Sequence, residues 1–327
     1  MSSTLDVVLL LALPASGKSE VRNYLASLDA DECRKGFHLG QTVQLDDYPY
    51  VHMMRRVDDE LAALGAPRVF FQAADRPFRD PADWGTLIVL LNEDFADLTA
   101  RPVLAPASAA RWLFGRIDAA ARRVGAEVKL STLPAGTLDA LAGRLETEAH
   151  KVLADKVAGW PEALAGKTVV IEFARGGADG SPMPLPAPFG YRHSLSLLAP
   201  AILERASILY VWVEPAESRR KNRAREKPGR DGDASILNHG VPIAVMMEDY
   251  GCDDMAWLIG QSDRPDTVRL EAHGRTWHLP VARFDNRVDR TSFAREPRDS
   301  WSAADVRALH DGLREGFERL ARATKPS

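Results

Sequence analysis

The chain has 327 residues, with 42 Lys plus Arg against 46 Asp plus Glu, a net charge of −4. Its 45% apolar and 27% charged residues match a globular protein and exclude a disordered, collagenous or fibrous one. The mild acidity gives no global electrostatic case for nucleic-acid binding.

The elements follow in chain order. Asp6-Val-Val-Leu-Leu-Leu-Ala-Leu13 is apolar on both faces, as a central strand of a parallel sheet should be. The run is too short for a bilayer, and no Lys or Arg precedes it, so it is read neither as a membrane span nor as a secretory leader. Pro14-Ala-Ser-Gly-Lys-Ser19 follows, then a helix from Glu20 to Leu28 with Val21, Tyr24, Leu25 and Leu28 at helical spacing. Thr42–Leu45 predicts a short strand ending in Asp46-Asp47-Tyr48. His52–Leu64 predicts an amphipathic helix and Arg68–Gln72 another short strand, while Leu87–Leu91 fits strand or buried helix. The Ala-, Leu-, Arg- and Glu-rich stretch from Ser108 to Trp160 predicts two or three helices broken near Gly125 and Pro134. Buried strands are expected at Lys167–Phe173 and Ser207–Val213, with a Gly/Pro-rich loop over 176–188 and a helix over Ser194–Arg205 between them. A basic helix is expected over Glu217–Lys227 and a further helix over Pro242–Leu258. A hairpin across Gly274 joins Thr267–Leu270 to Thr276–Phe284, and an amphipathic helix spans Trp301–Thr324. Strands alternating with helices predict a doubly wound α/β fold with a mostly parallel sheet. It is expected as one domain over 1–327 with a helical insertion over 100–165.

Strand, Gly-Lys-Ser turn and helix are the context of a phosphate-binding loop. Backbone N–H groups and the positive helix end would face the phosphates, Lys18 would reach the β- and γ-phosphates, and the Ser19 hydroxyl would ligate Mg²⁺. The full pattern GxxxxGK[ST] places its first glycine at Ala12, which an alanine can fill with ordinary backbone angles. On this stretch the chain resembles the P-loop NTPases, and among them the small-molecule and nucleoside or nucleotide kinases. The resemblance covers about fifteen residues. It implies a P-loop kinase-like fold, ATP and Mg²⁺ as cofactors, and a nucleotide site made of Pro14, Ala15, Ser16, Gly17, Lys18, Ser19 and Glu20.

Ligands of such sheets bind at the carboxyl ends of the strands. Leu45-Asp-Asp-Tyr48 is similar to the acidic pair that kinases of the uridine-kinase type place there. One of the two carboxylates, Asp46 or Asp47, would then take the acceptor's proton or assist Mg²⁺, and Tyr48 would line the substrate pocket. Glu172, closing an apolar strand, fits a metal-assisting acid, with Arg175 three residues on as an anion-binding group for the substrate or an ion-pair partner. The basic run 217–230, inside a stretch 214–256, resembles an arginine lid in which Arg219 and Arg223 close on the phosphates. A solvated basic face and a nucleic-acid contact are the alternatives. Asp285 and Asn286, after the last strand, are candidates for contacting the nucleotide base or simply form a turn.

Cys33 and Cys252 stand far apart outside any CxxC spacing, which fits a reduced, cytoplasmic setting. The eight histidines show no metal spacing, and the chain carries no HExxH, GxSxG or GxGxxG. Nor does it carry a base-reading NKxD-type motif or an LSGGQ-like signature. The expected function is ATP-dependent phosphoryl transfer to a hydroxyl or phosphate group of an unidentified small-molecule acceptor. The alternative is a P-loop ATPase or nucleotide-dependent switch that acts on a protein partner.

Overall fold

A computed structural model describes residues 4–225 and 240–324 of the chain. Six strands form one sheet: β1 (Val7–Leu11), β2 (Gln41–Asp46), β3 (Lys167–Phe173), β4 (Ala206–Trp212), β5 (Thr267–Ala272) and β6 (Arg275–Asp285). Their spatial order is β2-β3-β1-β4-β6-β5. β1 runs parallel to both neighbours, β3 and β4, and only β5 is antiparallel. That exception is local. His273 and Gly274 both have positive φ (54° and 74°), which lets a two-residue turn join Ala272 to its partner Arg275.

The strands are apolar on both faces because both are covered. Val7, Leu9 and Leu11 pack under α4 (Asp83–Ala100), α7 (Gly190–Ser196), α8 (Pro200–Leu203) and α11 (Met255–Gly260). Val8, Leu10 and Ala12 pack under α1 (Lys18–Ala26), α2 (Ala30–Phe37) and α12 (Ala303–Ala323). The result is a mostly parallel α/β sheet with helices on both sides, as the alternation of elements predicts.

Between β2 and β3 the chain builds a second apolar core from α3 (Tyr48–Ala63), α4, α5 (Ala109–Val124) and α6 (Ala135–Ala158). The helical run thus begins at Tyr48 and includes the stretch read ambiguously at Leu87–Leu91, which is α4. α4 serves both cores: Leu87 and Leu90 face the helices, Ile88 and Leu91 the sheet. Asp94 is the polar pin of this layer, accepting from Tyr50 Oη at 2.7 Å and pairing with Arg116 and Lys156. The strand expected at Arg68–Gln72 does not form. Asp58, fully buried on α3, accepts the backbone N–H groups of Val69, Phe70 and Phe71, the donors a strand ladder would use. What remains is a single bridge between Phe71 and Phe78.

Three other segments differ in detail. Pro200 splits the helix expected over Ser194–Arg205 into α7 and α8. The helix expected over Pro242–Leu258 is two, α10 (Ile243–Glu248) and α11, parted by the bend at residues 249–254. The basic stretch is α9 (Pro215–Arg225), and its continuation to Lys227 and Arg230 lies outside the described residues. Among the described residues, no helix is long and apolar enough to cross a membrane.

Candidate functional site

The loop after β1 turns sharply. Ala15 is held at φ 57° and Gly17 at φ 104°, while Ala12 keeps ordinary negative φ, so alanine is no obstacle at that position. A non-glycine residue in the left-handed region is uncommon, and such strain concentrates at functional loops. Gly17 is the N-cap of α1 and supplies no side-chain cap, so the helix start presents its backbone N–H groups without one. Lys18 Nζ reaches back to the Ala12 carbonyl at 3.2 Å, closing the loop around its own backbone.

The loop is braced from behind by groups distant in sequence. Asn286 Nδ2 donates to the Ser16 carbonyl at 2.8 Å and to Thr291 Oγ1 at 2.9 Å, and both side chains are fully buried. Ser218 Oγ on α9 donates to the Pro14 carbonyl at 2.7 Å. Asn286 is therefore a brace and not a base-contacting group, and Asp285 is paired with Arg287 in the adjoining turn. Glu20, expected among the nucleotide-binding residues, is fully buried and paired with Arg295. Gly17 and Glu20 sit outside the cavity wall, whereas Pro14, Ala15, Ser16, Lys18 and Ser19 form part of it.

That cavity measures about 480 Å³. Its second wall is the carboxyl end of the sheet. Asp46 and Glu172 are cross-strand neighbours on β2 and β3 and both line the space. Arg22, one turn into α1, bridges them at 3.6 Å and 3.1 Å. Burial first, then the Glu172 and Asp47 charges, push the Asp46 carboxyl up to about 7, against the lowering effect of the Tyr48 N–H and Arg22. Asp47 also lines the cavity but is tied to Arg175 at 2.7 Å. Arg175, expected to face an anionic substrate, is 2% exposed and absent from the cavity wall. It donates to the Ala174 carbonyl at 2.6 Å and lies over the Trp84 and Phe173 rings. Its partner is thus Asp47, not Glu172, and its role is to hold that carboxylate.

The expected lid arginines are not brought to the cavity. α9 turns Ser218, Lys221 and Asn222 inward, with Lys221 paired to Asp289 at 2.9 Å. Arg219 lies 3.8 Å from Asp179, and Arg223 is exposed. Asn222 makes two bonds to the backbone of Val241, at 2.7 and 2.8 Å, fixing the chain where it enters the cavity wall.

Apart from Tyr48, the rest of the cavity wall carries no mark in the sequence. Tyr48, as expected, belongs to it. So do His52, Arg55 and Arg56 of α3, the rings of Phe71, Phe78, Trp84 and Tyr250, and Asp249. The helical periodicity of α3 was readable, but nothing in its spacing marked the face that would meet the loop.

Ser19, Asp46 and Glu172 offer one hydroxyl and two carboxylates on a shared wall, hard oxygen donors of the kind Mg²⁺ takes. Among the described residues no three His, Cys, Asp or Glu side chains gather into an all-protein metal site. The set fits Mg²⁺, which keeps several waters and is held with substrate phosphates. No protein-family model, curated protein or solved structure matches the chain.

Proposed function

We propose that the protein is a P-loop phosphotransferase that moves the γ-phosphoryl group of ATP to a small-molecule hydroxyl. One observation carries this reading: a single cavity joins the Lys18–Ser19 loop, the Asp46/Glu172 strand ends and a stretch of wall lined by Phe71, Phe78, Trp84 and Tyr250. A hydrolase or switch needs the first two. The third is space for an acceptor beside the reacting phosphate.

The loop amides and Lys18 would bind and orient the triphosphate, and the helix start would favour its negative charge. Mg²⁺ would be held by Ser19 and Glu172 and would supply charge neutralisation at the phosphates, leaving Asp46 free for the proton. Asp46 would accept the acceptor's proton. A carboxyl raised to about 7 is a better base near neutral pH than an ordinary aspartate, because catalytic efficiency peaks when the pKa lies near the working pH. Asp47, already committed to Arg175, is the weaker candidate. Arg22 would moderate the repulsion between Asp46 and Glu172.

The test is incubation of the purified protein with Mg-ATP and a mixed metabolite extract, followed by mass spectrometry. A new phosphorylated species that disappears in Lys18→Ala supports the reading and names the acceptor. ATP binding with no phosphorylated product at any extract concentration would replace it by the ATPase or switch reading.

A further inference from the structure

Packing withdraws Arg175 to Asp47, but another guanidinium stands in the cavity wall. Tyr48, His52, Arg55, Arg56 and Asp59 all line the cavity, and their spacing puts them on one face of α3. Arg55 lies two turns beyond Tyr48, about 10 Å along the helix axis. Because Asp46 closes β2 just before Tyr48, α3 separates Arg55 from the proposed reacting end by that length.

The other charged groups on this face already have partners. His52 and Arg56 both bond Glu148, at 2.6 and 3.0 Å, and Asp59 pairs with Arg68 at 2.9 Å. Arg55 differs: among the described residues no carboxylate lies within 4.0 Å of it. Its Nη1 donates to the Ala74 carbonyl at 2.8 Å, and its guanidinium lies 4.1 Å over the Phe71 ring, which fixes its place. Its Nε and Nη2 make no hydrogen bond among the described residues, and neither is a fully buried atom. These two N–H groups form the edge that grips a carboxylate with two parallel bonds. The chain uses the same edge elsewhere, in Arg220 on Glu217 at 2.7 and 2.6 Å and in Arg287 on Asp285 at 3.0 and 2.8 Å. At Arg55 it is open.

The carboxyls of the cavity wall leave this charge in place. Asp46 and Glu172 share Arg22, and Asp47 holds Arg175. Asp249 is pushed up to about 7, chiefly by burial, and is mostly uncharged below that pH. One unmatched guanidinium suits one negative charge, a carboxylate rather than a doubly charged phosphate ester.

We propose that Arg55 is the specificity residue of the acceptor site and binds a carboxylate at the end of the acceptor remote from the hydroxyl that is phosphorylated. This rests on the reading of the cavity as a phosphotransferase site. The acceptor class is then a hydroxy acid whose apolar part lies against the rings of Phe71, Phe78, Trp84 and Tyr250. An uncharged amide of the same shape leaves the Arg55 edge unfilled and is rejected, as polar sites reject analogues missing a hydrogen-bonding group.

Binding can be tested without nucleotide or turnover, using the full chain at pH 6.5 and three probes: benzoate, benzamide and benzylammonium. They share a ring and differ in charge. Ligand-detected NMR titration should show benzoate binding at least about tenfold more tightly than either of the others. In Arg55→Gln that preference should fall to about one. Arg55→Lys keeps the charge without the two-donor edge, and its preference should fall between the two. Lys18→Ala should leave the preference intact, which separates Arg55 from the phosphate loop. Circular dichroism establishes that each variant is folded. The proposal is overturned by absent benzoate binding, by equal binding of benzoate and benzamide, or by preference for benzylammonium. It is also overturned by an undiminished preference in a folded Arg55 variant, or by loss of the preference in folded Lys18→Ala. Because no ATP is present, an Arg55-dependent preference alongside a negative extract screen would sink phosphoryl transfer and leave the carboxylate site standing. A Lys18-dependent phosphorylated product that carries no carboxylate would do the reverse.

Discussion

At Gly17 the backbone holds φ 104°, and a Cβ there would overlap Thr291 Oγ1 and come within 2.8 Å of Asn286 Nδ2. Both neighbours are fully buried and hydrogen-bonded, so neither can move cheaply. Gly17→Ala should therefore cost about 3 kcal/mol, combining left-handed strain with overpacking, and should abolish nucleotide binding. Urea denaturation and a nucleotide titration would check the two effects. Asp46 gives a prediction of opposite sign for stability. Its carboxyl is raised to about 7 in the fold, chiefly by burial, whereas an unfolded aspartate titrates near 4. Its stabilising contribution is then full below the unfolded value and is lost as pH rises through about 7. Asp46→Asn should stabilise the protein at pH 8, by about 1–2 kcal/mol, with little gain at pH 4. As the proposed base, Asp46 should give a kcat/KM that climbs through about pH 7 and then levels off. Asp46→Asn should remove that limb and lower the rate by about 10²–10⁴-fold.

The helices between β2 and β3 hold a second buried ion pair that links elements, besides the Asp94 cluster. Lys129, in the connection from α5 to α6, sits 2.8 Å from Asp83 at the start of α4, and both side chains are almost fully buried. Desolvation raises Asp83 to about 6 even with this partner. Removing the cation alone strands a buried carboxylate. Lys129→Met should destabilise by about 3 kcal/mol at pH 8 and by less at pH 5, where Asp83 takes up a proton. Lys129→Met combined with Asp83→Asn should recover most of the loss, as judged by chemical denaturation of all three variants. The same layer shows how an element can be overruled. Phe70 and Phe71 have strand-forming side chains, but their N–H groups are taken by Asp58 from a neighbouring helix.

Across the molecule, four carboxyls of the interior or the cavity wall shift in the same direction. Asp46 and Asp249 are raised to about 7, and Asp83 and Asp253 to about 6, each chiefly by burial. All four bind protons more tightly folded than unfolded. Their summed contribution is largest in acid and is lost as pH rises through 6 to 7. The melting temperature should accordingly be higher at pH 5.5 than at pH 8. Scanning calorimetry at the two values, with the quadruple Asp→Asn variant as reference, would measure the slope. The two carboxyls raised to about 7 both line the cavity, which ties this loss of stability to the site itself.

Local pattern determined much of this protein. The apolar runs at β1, β3 and β4, the turn at Pro14–Ser19 and the helix after it all read directly from the sequence. Strand alternation and helical spacing are set by neighbours along the chain. Asp46 and Glu172 were legible for the same reason, since each closes a strand and strand ends face the ligand side of such a sheet. Tertiary structure alone decided which side chains met. Arg175 turned to Asp47, Glu20 to Arg295, and Asn286 to the back of the loop, because each buried polar group takes whatever partner packing delivers, regardless of distance in sequence. Arg22 reached the acidic pair, Arg219 and Arg223 did not reach the cavity, and Asp249 came to its aromatic end from some two hundred residues beyond Asp46. No local spacing encodes those distances, which are fixed by how helices dock on the sheet.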